Sequence, residues 1–323
     1  MAKSEESNLA NLLMNKSSLR IYVAGHNGLV GSNIWSQLET NGFRNLIGLS
    51  SKELDLRDRS ATLAAITDMK PDVIVMAAAR VGGIMFNQNQ PVEFLNDNVD
   101  IQSSVFQAAH AANVNRLLFL GSSCIYPRAA AQPIHESSLL TGPLEPTNEA
   151  YAIAKIAGVL QVQAYRREYG RAWISAMPTN LYGPGDNFDL ETGHVLPSLI
   201  RRFHEAKQNS LASITLWGTG SAFREFLHVA DVARACVHLL DYYDELEPIN
   251  IGWGSDISIK DLALLIAEII GFTGEVKWDA SKPDGTPRKL LDSSKINSLG
   301  WKPAISLRNG IEATYAWFQS QDQ

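Results

Sequence analysis

Ile21-Tyr22-Val23-Ala24-Gly25-His26-Asn27-Gly28-Leu29-Val30-Gly31 is the stretch from which the rest of the chain is read. Four apolar residues form a short strand, and three glycines spaced by three follow at once. Behind them, Ser32 to Phe43 has helical periodicity through Ile34 and Leu38, with a stop signal at Gly42. A strand that turns on glycines into a helix lets backbone N–H groups approach a pyrophosphate at the helix N-terminus. Three glycines in a turn are a weak signal alone; their place at the head of a repeating strand–helix pattern gives them meaning.

That pattern recurs along the chain. Residues 46–49 read as a strand and 59–69 as a helix, and Pro71 opens a strand at 73–76. A helical stretch over 99–114 precedes the apolar strand 117–120, and a long helix starting at Tyr151 precedes a strand at 173–177. Strands alternating with helices indicate a Rossmann-type α/β fold, a doubly wound parallel sheet with both faces covered. After Pro178 the rhythm breaks into Gly-, Asn- and Asp-rich loop, a helix near 196–208 and a strand near 214–217. The division expected is a polar tail at 1–18 with one apolar turn at 9–14, and a dinucleotide domain at 19–178. A segment near 221–253 returns to that domain, around Phe226 to Leu240 joining the main sheet. The remainder, 179–220 and 254–323, forms a smaller mixed α/β lobe for substrate.

Composition limits the function. The 323 residues are 45% hydrophobic, enough for a substantial core. Cys124 and Cys236 are too few and too far apart for a disulfide framework or a metal site, so the reading is no metal and a reducing, cytoplasmic setting. A net charge of −6 disfavours nucleic acid, and no apolar run approaches the roughly 20 residues that span a bilayer.

The chemistry gathers around "GSSCIYP", Gly121 to Pro127, just past the strand ending at Leu120. Tyr151 and Lys155 stand four apart on one helical face, where an ammonium is expected to favour phenolate and lower the tyrosine pKa. Tyr-x-x-x-Lys is common by chance; Ser122, upstream at a strand end, lifts it above a solvated pair. With the glycine loop, the trio resembles the extended short-chain dehydrogenase/reductase superfamily. There serine orients a carbonyl, tyrosine exchanges its proton and nicotinamide carries hydride.

Six further stretches narrow the resemblance: "FLGSSCIYP", "LEPTNEAYAIAKIAG", "MPTNLYGPGDNF", "HVLPSLIRRFHEA", "REFLHVADVA" and "KPDGTPRKLLDSSK". In this order they resemble the GDP-L-fucose synthase family over nearly everything from Ile21 onward. The resemblance implies 3,5-epimerisation of GDP-4-keto-6-deoxy-D-mannose followed by NADPH-dependent reduction at C4. It implies Cys124 as base, His194 as acid, Tyr151 as proton donor, Lys155 as its electrostatic partner and Ser122 on the carbonyl oxygen. NADP(H) would be held by Gly25, His26, Asn27, Gly28, Leu29, Val30 and Gly31, by Ser50, Ser51 and Lys52, and by Leu120, Gly121, Ser122 and Ser123. Tyr151, Lys155, Pro178, Thr179, Asn180, Leu181 and His194 complete that set. GDP would be held by Arg202, Trp217, Arg224 and Asp284. A homodimer through the helices near Val99 and Tyr151 is implied by the same analogy.

Each assignment has a bland counterpart: a buried small hydrophobe for Cys124, a helix cap or a supporting place behind the reacting groups for His194, a solvated face for Arg202. His110, His135, His204, His228 and His238 read as structural, and Cys236 as core. The strand end Leu49-Ser50-Ser51-Lys52 carries no acid before Glu53, which favours NADP(H). Asn27 and Leu49, however, stand where the family carries arginines, which brings NAD(H) into view. Gly193 replaces a serine before His194 and is expected to loosen that loop. The rival functions are a sugar-nucleotide 4-reductase without epimerase activity and a non-catalytic dinucleotide-sensing regulator.

Overall fold

The computed structural model describes residues 16–282 and 285–321. The apolar turn expected at 9–14, most of the expected tail, and Asp284 lie outside the described residues.

Strand β1 (Arg20–Ala24) is buried from Ile21 onward and runs through the glycine turn into helix α1 (Leu29–Thr40). Strand β2 (Asn45–Ile47) is shorter than its apolar run, because Leu49 to Lys52 belong to the following turn. Helix α2 (Arg59–Met69) starts at Asp58, whose carboxylate accepts from the N–H groups of Ser60 and Ala61. Strand β3 (Val73–Met76) is followed by the short helix α3 (Ile84–Asn89) and by α4 (Pro91–Ala111). Helix α4 begins eight residues before its expected start. Its first turns look polar, but Asn98 is buried, with its amide bound to the carbonyls of Arg80 and Phe94. Strand β4 (Arg116–Leu120), helix α5 (Glu149–Tyr169) and strand β5 (Ala172–Pro178) complete the first half.

All neighbours in the six-stranded sheet are parallel, in the order β2-β1-β3-β4-β5 with a sixth strand beyond β5. Side chains alternate between faces, so Ile21 and Val23 enter one core and Tyr22 and Ala24 the other. Chain order reverses around β1, and the crevice past the carboxyl ends of β1 and β3 is where such sheets take ligands.

Beyond β5 the chain forms β6 (Asn180–Tyr182), α6 (Val195–Gln208), β7 (Ser213–Trp217), β8 (Phe223–Arg224) and β9 (Phe226–His228). The segment expected to return to the main sheet divides. Strand β9 pairs with β6, away from the main sheet, while α7 (Val229–Tyr242) packs on α1. Strand β10 (Ile249–Ile251) then becomes the sixth strand, with Ile249 opposite Ala176. The last part holds β11 (Ile257–Ser258), α8 (Ile259–Ile270), β12 (Glu275–Asp279), β13 (Arg288–Lys289), α9 (Ser294–Ser298) and α10 (Leu307–Gln321). A third core, including Leu196, Phe203, Leu262, Ile266 and Ile311, holds this lobe together.

One buried cation ties the halves. Arg116, fully enclosed, donates from Nη2 to the carbonyls of Leu239, Leu240 and Tyr243 at 2.8, 3.0 and 2.6 Å. Its Nη1 donates to the Ala172 carbonyl at 2.8 Å. The guanidinium thereby gathers the carbonyls at the end of helix α7, of which Leu239 also accepts from the Tyr243 N–H.

Candidate active site

The glycine loop is shaped by contact. Gly25 has φ 84°, and a Cβ there would lie 2.7 Å from the Ala78 nitrogen; a Cβ on Gly31 would lie 2.0 Å from the Gly25 carbonyl oxygen. No side chain can stand at either position without moving backbone. Gly28 caps α1 with no side-chain hydrogen bond, which leaves N–H groups of the first turn available to a ligand. This cradle fits a dinucleotide pyrophosphate.

Strand β4 delivers the reactive groups. Ser122 is extended (φ −162°, ψ 150°), and its Oγ accepts from the Cys124 N–H at 3.3 Å as a short 3-10 turn begins. Helix α5 places Lys155, 3% exposed, with Nζ donating to the Leu120 carbonyl at 2.9 Å. The same ammonium lies 4.9 Å from the Phe119 ring centre and 5.8 Å from that of Tyr151. Phe94 meets the Tyr151 ring edge-on at 6.2 Å, which fixes the phenol.

The electrostatics run partly against the sequence expectation. Burial, reinforced by the neighbouring Cys124, pushes the Tyr151 phenol well above its ordinary value. The expected depression by Lys155 is absent. Burial pulls Lys155 itself down to about 8, and its nearest partner is the Leu120 carbonyl. Burial also raises the Cys124 thiol, while Lys289, the Ser122 hydroxyl and Lys155 pull it back.

Lys289 escaped the sequence reading. It lies in "PRKLL", where nothing marks it, and reaches the thiol only because β13 pairs with β8, putting Lys289 opposite Arg224. Glu225 was also missed. Fully buried, it accepts from the Gly254 and Leu291 N–H groups at 2.7 and 3.1 Å. Its carbonyl takes the Asn180 amide at 2.8 Å and the Thr179 hydroxyl at 3.3 Å, fixing the segment after β5.

Three comparisons place this cleft among known proteins. The model of the NAD dependent epimerase/dehydratase family matches residues 21–252. GDP-L-fucose synthase 1 of Arabidopsis thaliana is 55% identical over 305 residues, 94% of each chain. GDP-L-fucose synthase of Escherichia coli (strain K12) is 49% identical, covering 95% of this chain and 99% of its own. The crystal structure of a GDP-L-fucose synthetase from Naegleria fowleri bound to NADP is 29% identical with a TM-score of 0.87, covering 95% of both chains. The chain belongs to the NAD dependent epimerase/dehydratase family.

In this epimerase/dehydratase, the structure gathers Ser122, Cys124, Tyr151 and Lys155, with Lys289 added. His194 stands apart. It heads α6, but its imidazole makes no cap, so the capping alternative is excluded. Surrounding protein lowers its pKa, although the side chain remains exposed at the cleft. The loop before it is tighter than expected. Asp189 Oδ1 accepts from the N–H groups of Glu191 and Thr192 and from the Thr192 hydroxyl, and its carbonyl takes the Gly193 N–H at 2.9 Å. A Cβ on Gly193 would lie 2.5 Å from the Asp189 carbonyl oxygen, so glycine closes this loop instead of loosening it.

At the far end, Arg201 is committed to Glu205 at 2.7 Å, whereas Arg202 makes no ion pair among the described residues. Trp217, 56% exposed at the end of β7, has Lys282 Nζ 5.7 Å from its ring centre. Arg224 lies on β8 beside Lys289, its Nη1 donating to the Phe223 carbonyl. Cys236 is buried core, and His204 donates to or accepts from the Tyr315 hydroxyl at 3.0 Å.

Proposed function

We propose that this chain converts GDP-4-keto-6-deoxy-D-mannose to GDP-L-fucose, epimerising C3 and C5 and then reducing C4. Its membership of the family, its 55% identity to a GDP-L-fucose synthase and the cleft chemistry support this together. The observation that carries the reading is a thiol inside the Ser-Tyr-Lys cluster, flanked by the ammonium groups of Lys155 and Lys289. Proton removal at C3 and C5 needs such a base, whereas hydride transfer to C4 does not.

Ser122 and Tyr151 bind the C4 carbonyl oxygen. Cys124 as thiolate takes the proton from C3 and, in a second round, from C5; the C–H electrons move onto the ketone oxygen as an enolate. His194 returns a proton to each carbon from the opposite face. Solvent then removes the thiol proton and restores that of the imidazole. Tyr151 finally gives its proton to the C4 oxygen, and the buried Lys155 charge stabilises the phenolate left behind. NADPH supplies the hydride for C4 when bound, with the Gly25–Gly31 loop, Ser50 to Lys52, Leu120 to Ser123 and Pro178 to Leu181 holding it. Arg202 and Arg224 neutralise the diphosphate of GDP, and Trp217 offers it a flat apolar face. Asp284 belongs to that set by its place in the sequence.

In this reading residues 179–220 and 254–323 act as the substrate lobe, and the functional unit is a homodimer through α4 and α5. Ile153 and Leu160, 46% and 42% exposed on α5, are apolar side chains for such a contact to cover. No helix among the described residues is long and apolar enough to cross a membrane.

The test is incubation with the 4-keto sugar nucleotide and NADPH in deuterated water. GDP-L-fucose deuterated at C3 and C5 supports the reading. A reduced sugar without deuterium leaves a plain 4-reductase, and no turnover leaves a non-catalytic regulator.

A further inference from the structure

The cofactor's ribose lies, in this sheet topology, between the end of β2 and the glycine loop. Those two segments touch here: a Cβ on Gly48 would lie 2.5 Å from the His26 ring, which packs against Trp35. Glu53, distant from the strand end in sequence, folds back onto it. Its Oε2 accepts from the Ser50 N–H at 2.8 Å and from the Ser50 hydroxyl at 2.6 Å, within electrostatic reach of His26. The acid that the sequence places too late is therefore present at the strand end.

Two arginines in the loops after β2 and β3 are engaged elsewhere. Arg57 is fixed on Asp55 and Asp97 at 2.8 and 3.1 Å. Arg80 is paired with Asp97 at 3.0 Å, with Gln90 as a second partner, and lies against the rings of Phe86 and Phe94. Asn27 and Leu49 are uncharged, and Lys52 is exposed with no ion pair among the described residues. A 2′-phosphate brings nearly two negative charges, and its strong recognition uses a positioned guanidinium fork. Here it would meet one unanchored ammonium and one fixed carboxylate. An exposed ion pair of that kind is worth about fivefold at most.

We propose that the ribose end of this cofactor site does not select strongly for the 2′-phosphate, so that the chain takes NAD(H) alongside NADP(H), with Glu53 and Lys52 setting the balance. This rests on the dinucleotide reading above and goes beyond it.

Calorimetric titration of the purified protein with NADP+ and with NAD+ tests it without turnover. The expected result is two dissociation constants within about tenfold of each other at low salt. Leu49→Arg and Asn27→Arg should each move that ratio about tenfold towards NADP+. Lys52→Ala should weaken NADP+ alone, and Glu53→Gln should tighten NADP+ while leaving NAD+ unchanged or weaker. Stabilisation by GDP, measured on every variant, shows that each one is folded. A wild-type preference for NADP+ above about 100-fold would overturn the proposal, as would an unchanged ratio in both Lys52→Ala and Glu53→Gln. Binding of neither dinucleotide would overturn the underlying reading as well.

Discussion

Cys124 draws support from two ammonium groups of different origin, Lys155 on the sheet side and Lys289 on the lobe side. Burial nevertheless holds the thiol above its ordinary value, while the imidazole of His194 is held below its own. At neutral pH the resting pair is therefore thiol and neutral imidazole. With the thiolate as base and the imidazolium as acid in this reading, the thiolate gains with pH what the imidazolium loses. Deuterium wash-in at C3 and C5 should hold level between the lowered imidazole pKa and the raised thiol pKa and fall on either side. Replacing Lys289 by Met removes one cation and moves the thiol further up; wash-in at pH 7 should fall about tenfold for each pKa unit. Cys124→Ser should lower it by about 10²–10⁴ with GDP binding intact, which titration of GDP would show. Undiminished wash-in in that variant would assign the base elsewhere. Cys124 was conspicuous because it stands beside Ser122 in a strand-end turn, while its role as base came only from the family resemblance. Lys289 was not, because its place depends on a pairing between strands of two residues each, too short to leave a periodic signal.

At the scale of elements, the loop before α6 and the end of α7 both turn on a single residue. Gly193→Ser would press a side chain onto the carbonyls of Asp189 and Asn187 at about 2.5 and 2.6 Å. The loop must then shift, at roughly 1–3 kcal/mol, and carry His194 with it. Epimerisation should suffer more than reduction, and comparing deuterium content with total reduced sugar separates the two. Arg116→Met would take the guanidinium from four carbonyl groups, of which Leu239 keeps the Tyr243 N–H, at about 3 kcal/mol, read as a lower denaturation midpoint with unchanged slope. The sheet itself was legible, since β1, β3, β4 and β5 are apolar runs bounded by turn residues. The true start of α4 was not. Its first turns carry Asn96, Asp97 and Asn98, and only the folded chain shows Asn98 satisfied in the interior. The fate of Glu53 was equally hidden, because a turn brought a carboxylate back to a strand end it had passed.

For the whole molecule, GDP is the simplest probe. If the lobe binds it, GDP at 100 times its dissociation constant should stabilise the fold by about 2.7 kcal/mol, and Arg202→Ala should reduce the shift. Light scattering should give twice the chain mass of 35.5 kDa, and Ile153→Glu with Leu160→Glu should return it to one. The position of β10 has a consequence for biosynthesis. Strand β5 lies at the edge of the sheet until Ile249–Ile251 arrives, and Arg116 has no helix end to cap until Leu239 to Tyr243 are made. Roughly 70 residues separate Pro178 from that closure, several seconds of translation at about 5–20 residues per second. Throughout that interval the nascent chain carries an unpaired strand edge, its side chains apolar but for Ser175, and an unneutralised guanidinium, so the dinucleotide half completes its fold only after much of the lobe has left the ribosome.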